Sequence, residues 1–513
     1  MQSENRALSG ICDMYPDTDL ENGDILVGMP ESWCLSLCIR QGVIHHGTGS
    51  PETIPTIKSS SEAGESTAVS GSSKTIFTMK SDIRECLSLT DADDSLACRI
   101  YTDAMHQPIR LVMPWKENTC MGSKFGDDCP EHGITVTYRP YHVSLHCDGN
   151  LMDEDWPLGD FNKEAAMGVA YNDSAILSVN LSCISDKSEM EPDVIKSFTV
   201  STDNWRPEGH NTGVGDCMPW FHEDRFHLFY LFDRRGHKSK YGLGAHQWAH
   251  ISTRDLRTWD IHPLAIAIDS QWEGSICTGS VFTDKGIHYA FYAVRMSDGS
   301  AAKLSWATST DGIRFTKTHR YFTLEAPYEP ISARDPFVFK DDSGLFHMLV
   351  TSSAANDRGE MEGCLAHLVS TDLEEWLQRE PYLMDGGREQ PECCGLFEMK
   401  GWHYLIYSLC GTGRYRMSRS PFGPWMKPEK DMIDNVRYRV PKTASFTGGR
   451  RLAVGFVTAT PEAYAGRAVF REMVQQPDGT LSVELVTEMM EVTEMMMETH
   501  NMKVTNCVKN LPG

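Results

Sequence analysis

The sequence predicts an all-β fold in two parts, a five-bladed β-propeller preceded by an N-terminal β-sandwich-like domain. Three observations predict it: short apolar runs broken by polar or Gly/Pro turns, a hairpin pattern that recurs five times after residue 220, and a second recurrent element between the hairpins. A repeat of roughly 50 to 60 residues holding about four strands is one propeller blade. At 513 residues the chain is long enough for two sizeable cores.

The N-terminal runs are ILVGM, WCLSLCI, KTIFTM, IRLVM, ITVTYR, HVSLHC and AILSVNL. Short β-branched and aromatic runs between turn residues read as strands, so residues 1–195 are assigned to the sandwich. Residues 49–75 are rich in Ser, Gly, Thr and Glu and bury too little to offset the entropy of ordering, so a flexible loop is expected there. No grouping of nucleophile, base or ligand residues stands out in this domain.

Residues 196–475 are assigned to the propeller. Its five hairpins are FHEDRFHLFYLF from Phe221, FTDKGIHYAFYAV from Phe282, FKDDSGLFHMLVTS from Phe339, FEMKGWHYLIYSL from Phe397 and FTGGRRLAVGFV from Phe446. Between them lie ISTRDLRTW, TSTDGIRF, VSTDLEEW and SRSPFGPW, ending at Trp259, Phe315, Trp376 and Trp425. Ser, Thr and Asp in such turns bond their own backbone, and the trailing aromatic anchors one blade on another. Residues 476–513 are assigned to a last strand and a tail rich in Met and Glu, read as an amphipathic or frayed helix.

Composition narrows the function. The 48 Lys and Arg against 71 Asp and Glu give a formal charge of −23, a field that repels phosphate backbones and anionic membranes. Nucleic acid and membrane partners are therefore not expected. The N-terminus has no basic segment followed by an apolar one, and no window reaches the roughly 18 apolar residues of a spanning helix, so a cytoplasmic location is expected. Sixteen cysteines show no CxxC spacing, which argues against zinc and for mostly reduced, buried thiols.

The chemistry is read from the start of each hairpin. Aligned on the first aromatic residue, the positions four or five residues earlier are Asp216, Cys277, Asp335, Glu392 and Lys442. Inner strands surround a central channel, so this register brings three carboxylates, Asp216, Asp335 and Glu392, into one funnel. Crowded acids raise at least one pKa and give a protonated acid beside ionised partners, as glycoside cleavage requires.

The propeller resembles glycoside hydrolase family 32, the β-fructofuranosidases such as invertases, inulinases, levanases and fructan exohydrolases. The resemblance rests on RPEGHNT from Arg206, GDCMPWF around Asp216, HLFYLFDRR from His227, WAHISTRDLRTW from Trp248, CTGS from Cys277, ARDPFVF around Asp335, ECCGLF from Glu392 and GGRRLAVGF from Gly448. It implies a retaining mechanism on sucrose or fructans, with Asp216 as nucleophile, Glu392 as acid and base, and Asp335 as transition-state stabiliser. It also implies substrate-binding roles for Arg334, Trp248, Asp233, Thr278 and Cys393. Neither a metal nor an organic cofactor is needed. Gly215 departs from the family's Asn, Leu231 from its Gln and Gly395 from its Asp. The alternatives are an inverting arabinofuranosidase or xylosidase of families 43 and 62, and a non-catalytic carbohydrate-binding propeller.

Overall fold

In the computed structural model the chain divides into two compact units, Met1–Lys187 and Ser188–Gly513. The structure describes residues 7–9, 17–27, 32–40, 74–80, 85–92, 95–103, 108–114, 131–156, 160–161, 166–173, 175–184, 192–200, 202–208, 212–234, 246–270, 272–296, 298–384, 387–458 and 464–489. The loop expected at 49–75 falls outside these up to residue 73, and so does the Met-rich tail beyond Met489. Among the described residues no helix is long and apolar enough to cross a membrane.

The N-terminal unit is built from a seven-stranded and a six-stranded sheet whose buried side chains form one cluster. Strand Glu131–Arg139 shows why these residues form a half-buried strand: His132, Ile134, Val136 and Tyr138 alternate inward while the residues between them face out. Its neighbour Trp33–Arg40 pairs so that Leu35 opposes Val136 and Leu37 opposes Ile134. Trp33 stacks on Tyr138 at 5.6 Å. Cys183 is disulfide-bonded, so the reduced state expected for most of the cysteines does not extend to all.

In the second unit each hairpin opens one blade. Blade 1 holds Thr212–His222, Arg225–Arg234, Gln247–Thr253 and Thr258–Ile266, with Lys196–Thr199 as an extra outer strand. Blade 2 holds Glu273–Asp284, Ile287–Met296, Lys303–Ser309 and Thr316–Phe322, and blade 3 holds Arg334–Lys340, Phe346–Ala355, Met361–Ser370 and Leu377–Met384. Blade 4 holds Glu392–Met399, Trp402–Leu409 and Thr412–Ser418, its outer edge completed by bridges from Met432 to Arg414 and from Met426 to Met417. Blade 5 holds Arg439–Ser445, Arg451–Val457 and Arg467–Gln475. One pairing, Thr412 with Arg439, joins blades 4 and 5 into a continuous sheet.

The ring closes at blade 5. Its strand Arg467–Gln475 pairs with both Asn204–Trp205 and Leu481–Glu484, so chain segments from before blade 1 and after blade 5 share one edge. Val214 and Gly466 exchange backbone hydrogen bonds of 2.9 and 3.0 Å across the same seam. Arg471 adds an ion pair to Asp203 at 3.2 Å.

The recurrent turns are structural. Thr253, Ser309 and Ser370 each accept a backbone N–H three residues on, and Asp255, Asp311 and Asp372 accept two more. Each turn leaves one residue at positive φ, Leu256, Gly312 and Leu373. The aromatic that follows crosses to the adjacent blade: Phe315 packs on Phe229, Trp376 on Phe291, Trp425 on Tyr382 and Trp259 on Phe470.

Close packing at the axis sets a sharp requirement at Gly279 on the inner strand of blade 2. A Cβ there would lie 1.8 Å from the carbonyl oxygen of Phe291, a backbone atom that no rotamer change moves away. Gly395, at the matching position in blade 4, faces only the Ile406 side chain at 3.3 Å. Gly279→Ala is therefore expected to cost about 3 kcal/mol and Gly395→Ala well under half of that, measured by urea unfolding.

Candidate active site

Every inner strand carries a bulge at the same level, where two residues oppose one on the next strand. The bulged pairs are Gly215–Asp216, Cys277–Thr278, Asp335–Pro336, Cys393–Cys394 and Val440–Pro441. This corrects the register taken from the first aromatic residue. Asp216 is the second residue of its bulge and Asp335 the first, while Glu392 stands just before its bulge and Lys442 just after. Counting back to an aromatic cannot see the extra residue, so the three acids reach the axis from non-equivalent positions. Lys442 points the other way: buried, it donates to the Gly279 carbonyl at 2.8 Å and lines a separate cavity of about 200 Å³.

Above the bulges is a cavity of about 610 Å³ lined by Asp216, Asp335 and Glu392 together with Arg334 and Thr278. Thr278 Oγ1 donates to Asp216 Oδ2 at 2.6 Å, and the Cys393 thiol approaches the same oxygen at 3.5 Å. Asp216 Oδ1 has no hydrogen-bond partner among the described residues. Asp335 Oδ2 accepts the backbone N–H of Cys393 at 2.9 Å, a donor that the bulge releases from the ladder. Arg334 ties the acids together, donating to Glu392 Oε1 at 2.9 Å and to Gln390 at 2.6 Å, with Nε 3.8 Å from Asp335.

Burial and charge act on these groups in a definite direction. Burial pushes the Asp216 carboxyl above its ordinary range, and the Asp335 charge pushes the same way. Glu392 is also raised, by burial first and by Asp335, with Arg334 opposing. Burial beside these acids holds the Cys393 thiol well above its ordinary value. Asp216, Asp335 and Cys393 each offer an atom within 4.8 Å of the others.

The remaining sequence candidates divide. Cys393 sits behind the cavity and acts on Asp216 and Asp335 as described. Trp248 and Asp233 do not line it. Trp248 is fully buried, donates to the Cys277 carbonyl at 2.9 Å and packs on Tyr292, so it joins blades 1 and 2 instead of offering a sugar platform. Asp233, also buried, bonds the cavity-lining His246 through Nε2 at 2.7 Å.

Sequence reasoning missed His246, Tyr464, Arg295, Arg388, Gln390 and Arg439, all of which line the cavity. Arg439 stands immediately before its bulge, as Arg334 and Glu392 do in blades 3 and 4, a position that only the folded ladder reveals. Tyr464 held no signal: it comes from the segment that precedes strand Arg467–Gln475 and belongs to no repeat.

A ring of blades whose axial cavity is floored by three carboxylates and an arginine has the makings of a carbohydrate-cleaving site. Residues 218–440 match the model of the Glycosyl hydrolases family 32 N-terminal domain. Sucrose-6-phosphate hydrolase of Escherichia coli is 29% identical over 202 residues, 37% of this chain and 40% of its own length. The enzyme of that name from Bacillus subtilis is 27% identical over 198 residues, 36% of this chain and 39% of its own length. The solved sucrose-6-phosphate hydrolase of Lactobacillus gasseri aligns with 56% of this chain and 63% of its own at 18% identity, with a TM-score of 0.46. The chain thus spans about two-fifths of the length of those two curated relatives.

The placement of Trp248 generates a prediction. Trp248→Ala is expected to cost about 4 kcal/mol of stability by emptying a filled blade interface, and Trp248→Phe much less. Urea unfolding of both variants measures this, and a Trp248→Ala protein as stable as wild type would place the indole in the cavity instead.

Proposed function

We propose that the protein is a retaining β-fructosidase that releases terminal fructosyl units from sucrose or fructans by double displacement. The observation that carries this reading is the convergence of Asp216, Asp335 and Glu392 from three blades on one cavity, with Arg334 between two of them. The family match of the propeller supports the sugar. Asp216 attacks the anomeric carbon through its carboxylate, and the glycosidic bond breaks as Glu392 passes its proton to the leaving oxygen. Water then opens the fructosyl ester and returns a proton to Glu392, regenerating both carboxyl groups. Asp335, beside Arg334, faces the positive charge that develops on the ring.

The pKa directions bear on the pH profile. Asp216 must be ionised, and its pKa lies above the ordinary 3.8, so kcat/KM falls on acidification through that raised value. Glu392 must be protonated, and its pKa lies above the ordinary 4.5, so kcat/KM falls again as pH rises through it. A bell-shaped profile is expected. Thr278→Val removes a donor to the ionised form of Asp216 and moves the acid limb upward. Fructose release from sucrose, inulin and levan tests the reading: Asp216→Asn and Glu392→Gln are each expected to lose about a thousandfold in kcat. Wild-type rates in either variant would sink it.

Within this class the rim favours a substrate with an anionic group on the departing sugar. Four arginines, Arg295, Arg334, Arg388 and Arg439, line the cavity of a chain whose formal charge is −23. Arg334 is engaged by the catalytic acids. Guanidinium forks match phosphate and carboxylate geometry, and the names of the relatives point to a phosphorylated sugar. The ratio of kcat/KM for sucrose 6-phosphate over sucrose is expected to exceed one and to drop about tenfold in Arg295→Gln and in Arg388→Gln. Equal values for the two sugars in wild type would contradict an anionic substrate.

A further inference from the structure

The residue before Asp216 is glycine where the matching family motif has asparagine, and the place of the missing side chain is occupied. A Cβ built on Gly215 would stand 2.7 Å from the Tyr464 hydroxyl oxygen, 3.0 Å from its Cε1 and 3.1 Å from Leu231 Cβ. The Tyr464 hydroxyl accepts the backbone N–H of Asp216 at 3.2 Å. That N–H belongs to the bulge, so the strand ladder does not hold it. The ring is oriented from both sides: it stacks on His246 at 5.2 Å and meets Phe456 edge-on at 5.5 Å. His246 is in turn fixed by Asp233 at 2.7 Å. Leu231, which stands where the motif has glutamine, presses on the same spot, so two polar losses and one polar gain coincide there.

We propose that Tyr464 is a positioning residue that has taken over the space and the polar role of the side chain absent at 215. Its hydroxyl fixes the bulged main chain at Asp216 and thereby aims the carboxylate at the cavity. The pair Gly215 and Tyr464 forms one unit: the glycine admits the ring, and the ring replaces what the glycine lacks. This account also gives Asp233 and His246 a function without contact to sugar, as the support beneath Tyr464. Its catalytic consequence rests on the fructosidase reading, whereas its steric half does not. The groups that bear on Asp216 are Asp335, Glu392, Thr278, Cys393 and Tyr464, and those that bear on Tyr464 are Asp216, Asp233, His246 and Cys393.

Two sets of variants test it. In the first, unfolding midpoints are measured for Gly215→Asn, Tyr464→Ala and the pair together. Each single change is expected to lower the midpoint, the first by collision and the second by an empty cavity. The pair is expected to lose clearly less than the sum, because the asparagine then fills the vacated space. An additive loss overturns the exchange, whether or not the protein cleaves any sugar. In the second, Tyr464→Phe keeps the ring and removes the hydroxyl. With the midpoint close to wild type, kcat on sucrose is expected to fall about tenfold and the acid limb of kcat/KM to shift. A purely structural tyrosine would leave kcat and the pH profile of Tyr464→Phe at wild type, which overturns the positioning role. A folded wild type that releases fructose from no fructoside defeats the fructosidase reading and the catalytic half with it, while the unfolding cycle still decides the exchange.

Discussion

The bulge repeated in all five inner strands is the constraint on which the axial cavity depends. A regular strand spends every backbone N–H and C=O on its neighbours and sends alternate side chains to opposite faces. Inserting one residue at the same level in each blade breaks that alternation around a full ring. It frees main-chain donors such as Cys393 N–H, which Asp335 accepts, and Asp216 N–H, which the Tyr464 hydroxyl accepts. It also turns Asp335, Cys393 and Val440, the first bulged residues of blades 3, 4 and 5, to positive φ. A non-glycine residue there costs on the order of 1 kcal/mol, and the blade packing on both sides holds it in place.

The electrostatics of the cavity follow from that geometry. Three carboxyl groups brought under a partly closed rim lose water, which raises Asp216 and Glu392 together. Arg334 opposes that rise at Glu392, which it touches directly, and lies near Asp335. The result is a graded set: Asp216 is bonded through one oxygen by Thr278, Asp335 is held by a backbone donor, and Glu392 remains half-buried.

The parts of this arrangement that were legible in the sequence are those with a period or a fixed motif. The five hairpins and the Ser-Thr-Asp turns recur at blade spacing, so the propeller followed from counting, and RDP and EC marked Asp335 and Glu392 beside Arg334 and Cys393. The register of the acids was not legible, because a bulge adds a residue without changing the pattern of apolar residues that surrounds it. Trp248 and Asp233 sit in segments that match the motifs, yet full burial takes both away from the cavity. Tyr464 is invisible to any local pattern. It is found only by asking what fills the space above Gly215, a question that requires blade 5 to be folded against blade 1.

The account stands or falls on Asp216 acting as a nucleophile. Its most direct test is mass spectrometry of Glu392→Gln quenched during turnover of a fructoside with an activated leaving group, which departs without an acid and leaves deglycosylation slow. A peptide containing Asp216 that carries the mass of one fructosyl unit is the predicted result. Turnover with no adduct on that peptide, and a product of inverted anomeric configuration, would contradict it.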